Sequence, residues 1–300
     1  VADTGDTVLV LSGDHIYQMD YGNFVGQHLG TNADLTIATV ECPLDDAARF
    51  GVVEVDGNAR VTRFEEKPVN PRAVPSRPSV ALVSMGVYMF KKSVLLKSLQ
   101  ETCGSDRGYD FGRDVIPSLI DAGRTYAYDF RDEVNKCPRY WRDIGTLDGF
   151  YETSMDLITP EPPFDPYANF GTPSQPTRHP VLKHQSEMIR NPIIGRSCDL
   201  SGTIVSAGVH VGDNAVVTNS VLMPGVRIGK GARLNRTIVD DDIEIPANFQ
   251  AGYDANQDRR QHTVTNNGVV VVSEISAKFQ PDALSVPHRG AFRQAVPGYR

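Results

Sequence analysis

Several things are scarce in this sequence. Its 300 residues hold one tryptophan, Trp141, and four cysteines: Cys42, Cys103, Cys137 and Cys198. No two cysteines stand in C-x-x-C spacing, which excludes the common zinc and dithiol motifs. Four reduced thiols in a cytoplasmic protein are the expectation. No apolar run approaches the ~20 residues of a membrane span, so no membrane is expected as a partner. Lysine and arginine form no basic stripe and the formal charge is −7, which speaks against nucleic acid. The amino end, Val-Ala-Asp-Thr-Gly-Asp, has neither the basic region nor the apolar core of a secretory leader. It also lacks an initiator methionine and runs within a few residues into a strand, which we read as a fragment of something longer.

What is present begins with residues 8–17. The run Val8 to Leu11 is unbroken and apolar, as in a strand buried on both faces, and Ser12-Gly13 then present Asp14 and His15. Ligands of open α/β sheets bind beyond the carboxyl ends of such strands, so Asp14 is either a catalytic carboxylate or a turn residue. Further strands are expected at 35–40 and 87–90. A hairpin is expected across Asp56-Gly57-Asn58, with arms 52–55 and 61–64. Asp20 is placed to cap a helix over 21–29, and a second helix runs from Asp114 to Ala122 and stops at Gly123. Residues 1–158 thus read as an α/β domain with a mostly parallel sheet.

Seven prolines between Thr159 and Pro180 mark an extended connection over 159–185. Beyond it the pattern changes to a 17-residue period. Ile194, Val211, Ile228 and Ile245 form one column, Leu200, Val217 and Leu234 a second, and Val205, Leu222 and Val239 a third. Small residues recur at Cys198, Ala215 and Ala232. Three apolar corners per 17 residues describe a triangular prism of short parallel strands, a hexapeptide-type β-helix over 186–253. Single coils cannot bury themselves, so the ends need caps or partner subunits. Residues 254–300 are cap and tail, with the valines 269–272 as a last strand and Arg289, Arg293 and Arg300 in an irregular end.

Three clusters in the first domain carry chemistry when weighed together. Lys67 precedes Pro68, and proline holds its predecessor extended, which fixes the lysine's direction. It is a point charge for a phosphate, or a solvated partner of Glu65 or Glu66. Asp143, beside Trp141 and Arg142 at another strand end, is a salt-bridge partner or shares a hard cation such as Mg²⁺ with Asp14. Gly51 permits close approach of a ligand or only a turn. Ser84-Met85-Gly86 precedes the strand expected at 87–90, with the Ser84 hydroxyl facing the same cleft. Asp110-Phe111-Gly112-Arg113-Asp114 reads as the start of a helix, since no kinase catalytic loop accompanies it.

The motifs Ser12-Gly13-Asp14-His15-Ile16-Tyr17, Phe50-Gly51-Val52, Phe64-Glu65-Glu66-Lys67-Pro68, Ser84-Met85-Gly86, Asp110 to Asp114 and Tyr140-Trp141-Arg142-Asp143-Ile144-Gly145-Thr146 stand in one order. With them, nearly the whole chain resembles the glucose-1-phosphate adenylyltransferase (ADP-glucose pyrophosphorylase) family. The resemblance implies a Rossmann-like nucleotidyltransferase domain, incomplete at its N-terminus, followed by a left-handed parallel β-helix. It implies ADP-glucose synthesis from ATP and glucose 1-phosphate, and a homotetramer joined through both domains. Asp14 and Asp143 would hold catalytic Mg²⁺. Lys67 would bind the phosphate of glucose 1-phosphate, Glu66, Gly51 and Ser84 would contact the sugar, and Trp141 would shape its pocket.

Two departures from the family pattern qualify this. The glycine-rich nucleotide loop is absent from these 300 residues, so we expect the chain alone to be inactive. Asp240-Asp241-Asp242 stand where enteric members carry an AMP-binding arginine, which puts that site in doubt. The competing readings are uridylyl, thymidylyl or guanylyl transfer, a hexapeptide acyltransferase using His210, and a non-catalytic regulatory subunit.

Overall fold

The computed structural model describes residues 5–102, 110–132, 137–163 and 192–275. Its contacts divide the chain into two units, between Arg142 and Asp143. The first unit is built on β1 (Thr7–Leu11), β2 (His15–Tyr17), α1 (Tyr21–Gly30), β3 (Leu35–Pro43), β4 (Gly51–Val55), β5 (Val61–Glu66), β6 (Val80–Lys91), α2 (Lys92–Thr102), α3 (Ile116–Ala122) and β7 (Thr125–Asp129). β8 (Trp141–Asp143) is described with it, because its hydrogen-bonded partner is β2.

The main sheet has the order β5-β4-β6-β3-β7, with β1 also on β6. Side chains alternate between two cores, as strand pleating requires. Leu82 and Phe90 of β6 join Leu35 and Ile37 of β3 on one face, covered by Leu95 of α2 and by Ile116 and Leu119 of α3. Val83, Met85, Val87 and Met89 join Ala38 and Val40 on the other, covered by Phe24 of α1. The α/β layering is therefore as the sequence implied, but the strand directions are not. Only β3–β7 is a parallel pair in this sheet, while β1–β6, β3–β6, β4–β5 and β4–β6 are antiparallel. A strand covered on both faces looks the same in sequence whichever way its neighbours run. β1 also departs from expectation. It pairs with β6 alone, and Leu9 and Leu11 are exposed.

Local signals behave as read. The Asp20 carboxylate accepts from the Gly22 N–H at 2.8 Å to cap α1. Asp56 closes the β4–β5 turn by accepting from the N–H groups of Asn58 and Arg60. The second expected helix begins earlier. Asp110 caps a π-turn at Phe111–Val115, which leads into α3 and its stop at Gly123. Cys42, Cys137 and Cys198 are free thiols, while Cys103 lies outside the described residues.

In the second unit α4 (Leu147–Leu157), capped by Thr146, packs Tyr151 and Met155 on Val221, Ile238 and Val269 of the β-helix. The helix coils with the expected period. Ile193–Ile194, His210–Val211, Arg227–Ile228 and Glu244–Ile245 form one parallel face, and Val216–Thr218, Arg233–Asn235 and Gln250–Ala251 a second. The third face runs Ile204–Val205, Val221–Leu222 and Thr237–Val239, then closes on Val270–Val272. Between Gln250–Ala251 and that closing strand the period is interrupted by α5 (Ala255–Gln261) and Thr263–Val264. Val211, Val217, Leu222, Ile228, Leu234, Val239 and Ile245 are buried in one core. Most of the proline-rich connection and everything from residue 276, Arg289, Arg293 and Arg300 included, lie outside the described residues. Among the described residues no helix is long and apolar enough to cross a membrane.

Asp240 is an exception to this apolar interior. It is 6% exposed, and its Oδ1 accepts from the neighbouring Asp241 N–H at 2.9 Å. Burial, reinforced by the Asp241 side chain, pushes its carboxyl up to about 6. A carboxyl raised in the folded state favours folding while it is protonated and opposes it once ionised. The cost is absent below the unfolded pKa of ~4 and complete above the folded one. Asp240→Asn is therefore expected to raise the Tm at pH 7.5, with the gain fading as pH falls to about 4. A thermal melt series across that range checks it, and a gain independent of pH would contradict it.

Candidate active site

The acidic end of the site is carried by two short strands. After β1, Ser12 and Gly13 turn the chain into β2, and the Ser12 hydroxyl donates to Asp14 Oδ1 at 2.6 Å. β8 is the partner of β2 and ends in Asp143, whose Oδ1 accepts from the Gly145 N–H at 2.9 Å. One oxygen of Asp14, one of Asp143 and a ring nitrogen of His15 lie within 4.8 Å of one another. Two carboxylates and an imidazole at one strand end form a donor set that fits a divalent cation.

The sequence reading assigned no role to His15. Its Nδ1 is 2.7 Å from the Met85 carbonyl, which only accepts, so Nδ1 carries the proton. In the neutral ring Nε2 is then the acceptor nitrogen, 3.6 Å from Asp14 Oδ1. Gly86 sits beneath this ring with φ +66°, and a Cβ there would lie 3.0 Å from both His15 Cε1 and Ser12 Cβ. Conformation and space both demand glycine at this position. Trp141 meets His15 edge-on at 5.2 Å and Phe50 at 5.1 Å. Its Nε1 is buried without a hydrogen-bond partner among the described residues. Arg49 lies over the Phe50 ring at 5.4 Å.

Phe50 leads directly to the second group of predicted residues. Gly51 opens β4 opposite Glu66 at the end of β5. Glu66 is half-buried, and burial pushes its carboxyl above the usual range while Lys67 pulls it back. Lys67 is exposed, and its N–H donates to the Phe50 carbonyl at 3.1 Å. Its backbone is not extended, as the following proline led us to expect, but left-handed at φ +48°. The bond to Phe50 and the buried Pro68 hold the chain in that turn. Ser84 is buried, donates to the Tyr88 hydroxyl at 3.1 Å and accepts from the Gly86 N–H at 3.2 Å. Burial pushes the Tyr88 phenol up to about 12, and its ring stacks on Phe111 at 6.0 Å.

One continuous path of contacts thus joins Asp14 and His15 through Trp141 and Phe50 to Gly51, Glu66 and Lys67. Gly112, read in the sequence only as part of a helix start, belongs here too, because it abuts Glu66. Its glycine identity was the one available signal. His210, on the β-helix, is half-buried among its coil neighbours.

Comparison with known proteins follows this division. Residues 1–159 match the nucleotidyl transferase family model, and residues 177–272 match the GlmU-like C-terminal hexapeptide family. The chain is 38% identical over 282 residues to glucose-1-phosphate adenylyltransferase 2 of Vibrio cholerae, covering 89% of this chain and 69% of that one. It is 40% identical over 280 residues to the glucose-1-phosphate adenylyltransferase of Thiobacillus denitrificans, covering 89% and 63%. For that of Paramagnetospirillum magneticum the figures are 36% over 283 residues, 89% and 66%. The chain thus spans about two thirds of the length of these relatives.

A left-handed backbone costs a non-glycine residue about 1–2 kcal/mol. Lys67→Gly is expected to leave stability within about 1 kcal/mol of wild type, because relieved strain offsets added unfolded-state entropy. Lys67→Val, β-branched, is expected to lose about 1–3 kcal/mol. Urea unfolding of the two variants checks this, and equal stabilities would show that no strain is held at Lys67.

Proposed function

Because the chain belongs to the glucose-1-phosphate adenylyltransferase family, we propose that it serves ADP-glucose synthesis from ATP and glucose 1-phosphate with release of pyrophosphate. The observation that carries this reading is the path of contacts from the Asp14–His15–Asp143 donor set to Glu66 and Lys67. It supplies acidic groups at one end and a cation beside a half-buried carboxylate at the other.

In this reading an oxygen of the sugar phosphate attacks the α-phosphorus of ATP. The new P–O bond joins glucose 1-phosphate to AMP as the α–β bridge breaks, and the bridging oxygen leaves with pyrophosphate. Asp14 and Asp143 would hold Mg²⁺, which when bound neutralises charge on the reacting phosphates. The hydrogen bonds from Ser12 and from the Gly145 N–H hold the two carboxylates in place before any ligand arrives. His15, tied to Met85, completes the donor set. Lys67 pairs with the sugar phosphate as a point charge. Glu66 and the backbone at Gly51 meet the sugar hydroxyls, and Trp141 and Phe50 wall the pocket against water. Ser84 supports the sugar side through Tyr88 and the Gly86 N–H.

We further propose a homotetramer in the cytoplasm. Its support is the exposed apolar pair Ile193 and Ile194 on the first coil and the free thiols of Cys42, Cys137 and Cys198. Light scattering at four times the chain mass of 32.9 kDa tests the assembly.

The function is tested on the product of the complete reading frame with ATP, glucose 1-phosphate and Mg²⁺. Asp14→Asn is expected to lower kcat by about 10²-fold or more with an unchanged circular dichroism spectrum. Lys67→Gln is expected to raise KM for glucose 1-phosphate while leaving KM for ATP in place. A rise in KM for ATP alone would reverse the assignment of the two ends of the site, and preference for UTP or GTP would replace the adenylyl reading.

A further inference from the structure

Glu66 occupies a slot with bare backbone on two sides. A Cβ on Gly112 would stand 2.6 Å from Glu66 Oε2, 2.9 Å from Cδ and 3.2 Å from Cγ. A Cβ on Gly51 would stand 2.9 Å from the same Oε2. Neither glycine has a positive φ, so the backbone itself would accept any residue. At Gly112 a side chain would displace only the carboxylate, while at Gly51 it would first meet Cζ of the Phe64 ring.

The far wall of the slot is held firmly. Gly112 is buried in the π-turn Phe111–Val115, which Asp110 caps by accepting from the Arg113 N–H at 2.9 Å. Phe111 fixes that turn to the sheet through Tyr88 and Phe90, at 6.0 and 5.7 Å. Such π-turns recur at functional sites. The carboxylate they confine accepts no hydrogen bond from the described residues, although it is half-buried. A half-buried carboxylate given no protein donor leaves its lone pairs open to a hydroxyl donor on a ligand that displaces water.

We propose that Gly112 is a specificity-determining positioning residue. With Gly51 it sets the depth of the Glu66 carboxylate, and so the recognition of the sugar ring, while leaving recognition of the phosphate to Lys67. This rests on the sugar-phosphate reading above, and the two are separated by their tests. The 300-residue chain is titrated calorimetrically with glucose 1-phosphate and with inorganic phosphate. Gly112→Ala is expected to weaken glucose 1-phosphate at least tenfold and to leave phosphate unchanged. In a Glu66→Ala background, where the slot has space for the added methyl, Gly112→Ala should change neither ligand.

Wild-type affinity for glucose 1-phosphate in Gly112→Ala would overturn the proposal, as would an equal loss in the Glu66→Ala background. Absence of any preference for glucose 1-phosphate over phosphate in the wild-type chain would instead remove the sugar-phosphate reading. The slot is then judged by unfolding: Gly112→Ala must lower the Tm of the wild type but not of Glu66→Ala. If Gly112→Ala does not fold, the double variant must fold, and its failure to do so would sink the idea.

Discussion

Strand β6 is the member on which the α/β unit depends. Its twelve residues hydrogen-bond to β1, β3 and β4, so three neighbours take their register from one strand. At its centre the same backbone turns toward ligand chemistry. The Met85 carbonyl holds His15, the left-handed Gly86 makes space beneath that ring, and Ser84 bonds to Tyr88. A slip of one residue would exchange the two faces of β6 and move Ser84 and Met85 each to the face the other now occupies. The two cores that clamp β6 therefore guard the geometry of the site as much as the stability of the sheet.

The β-helix solves a different problem with a simpler device. No single coil buries its apolar corners. Each coil is completed by the next, and the corner columns stack valine, leucine and isoleucine at 17-residue spacing. Asn214, Asn219 and Asn248 take left-handed backbones at the turns, a conformation asparagine tolerates better than most residues. The period is interrupted between Ala251 and Val270, where α5 intervenes before the closing strand. Asp240 follows Val239 on the face that the closing strand covers, and its N–H donates to the Val272 carbonyl at 3.0 Å, which encloses the carboxylate in the stack.

Much of this was legible in the residues. Asp20 and Asp56 each announced a cap or turn through a short side chain that bonds its own backbone neighbours. The β-helix columns were legible because a strict repeat leaves few alternatives. Of the site, the two aspartates and Lys67 stood out as charges at strand ends. Strand direction was not legible, since β3 and β6 are buried on both faces and carry no alternation to show which way a neighbour runs. The left-handed backbone of Lys67 was hidden because the proline rule describes a local preference, which the bond to Phe50 overrides.

His15 and Gly112 mark the boundary between the two kinds of information. In sequence His15 is one histidine after an aspartate, and Gly112 is one glycine near a helix start. Their partners, Met85 and Glu66, lie 70 and 46 positions away, and the pairings exist only once the sheet has brought those segments together. By itself the sequence determined the two architectures, the caps, the 17-residue repeat and the charged candidates, because each is written in neighbouring residues or in a fixed period. Tertiary structure alone decided the strand directions, the tautomer of His15 and the confinement of Glu66. Those follow from long-range backbone pairing and from the room left between packed segments, which no local spacing encodes.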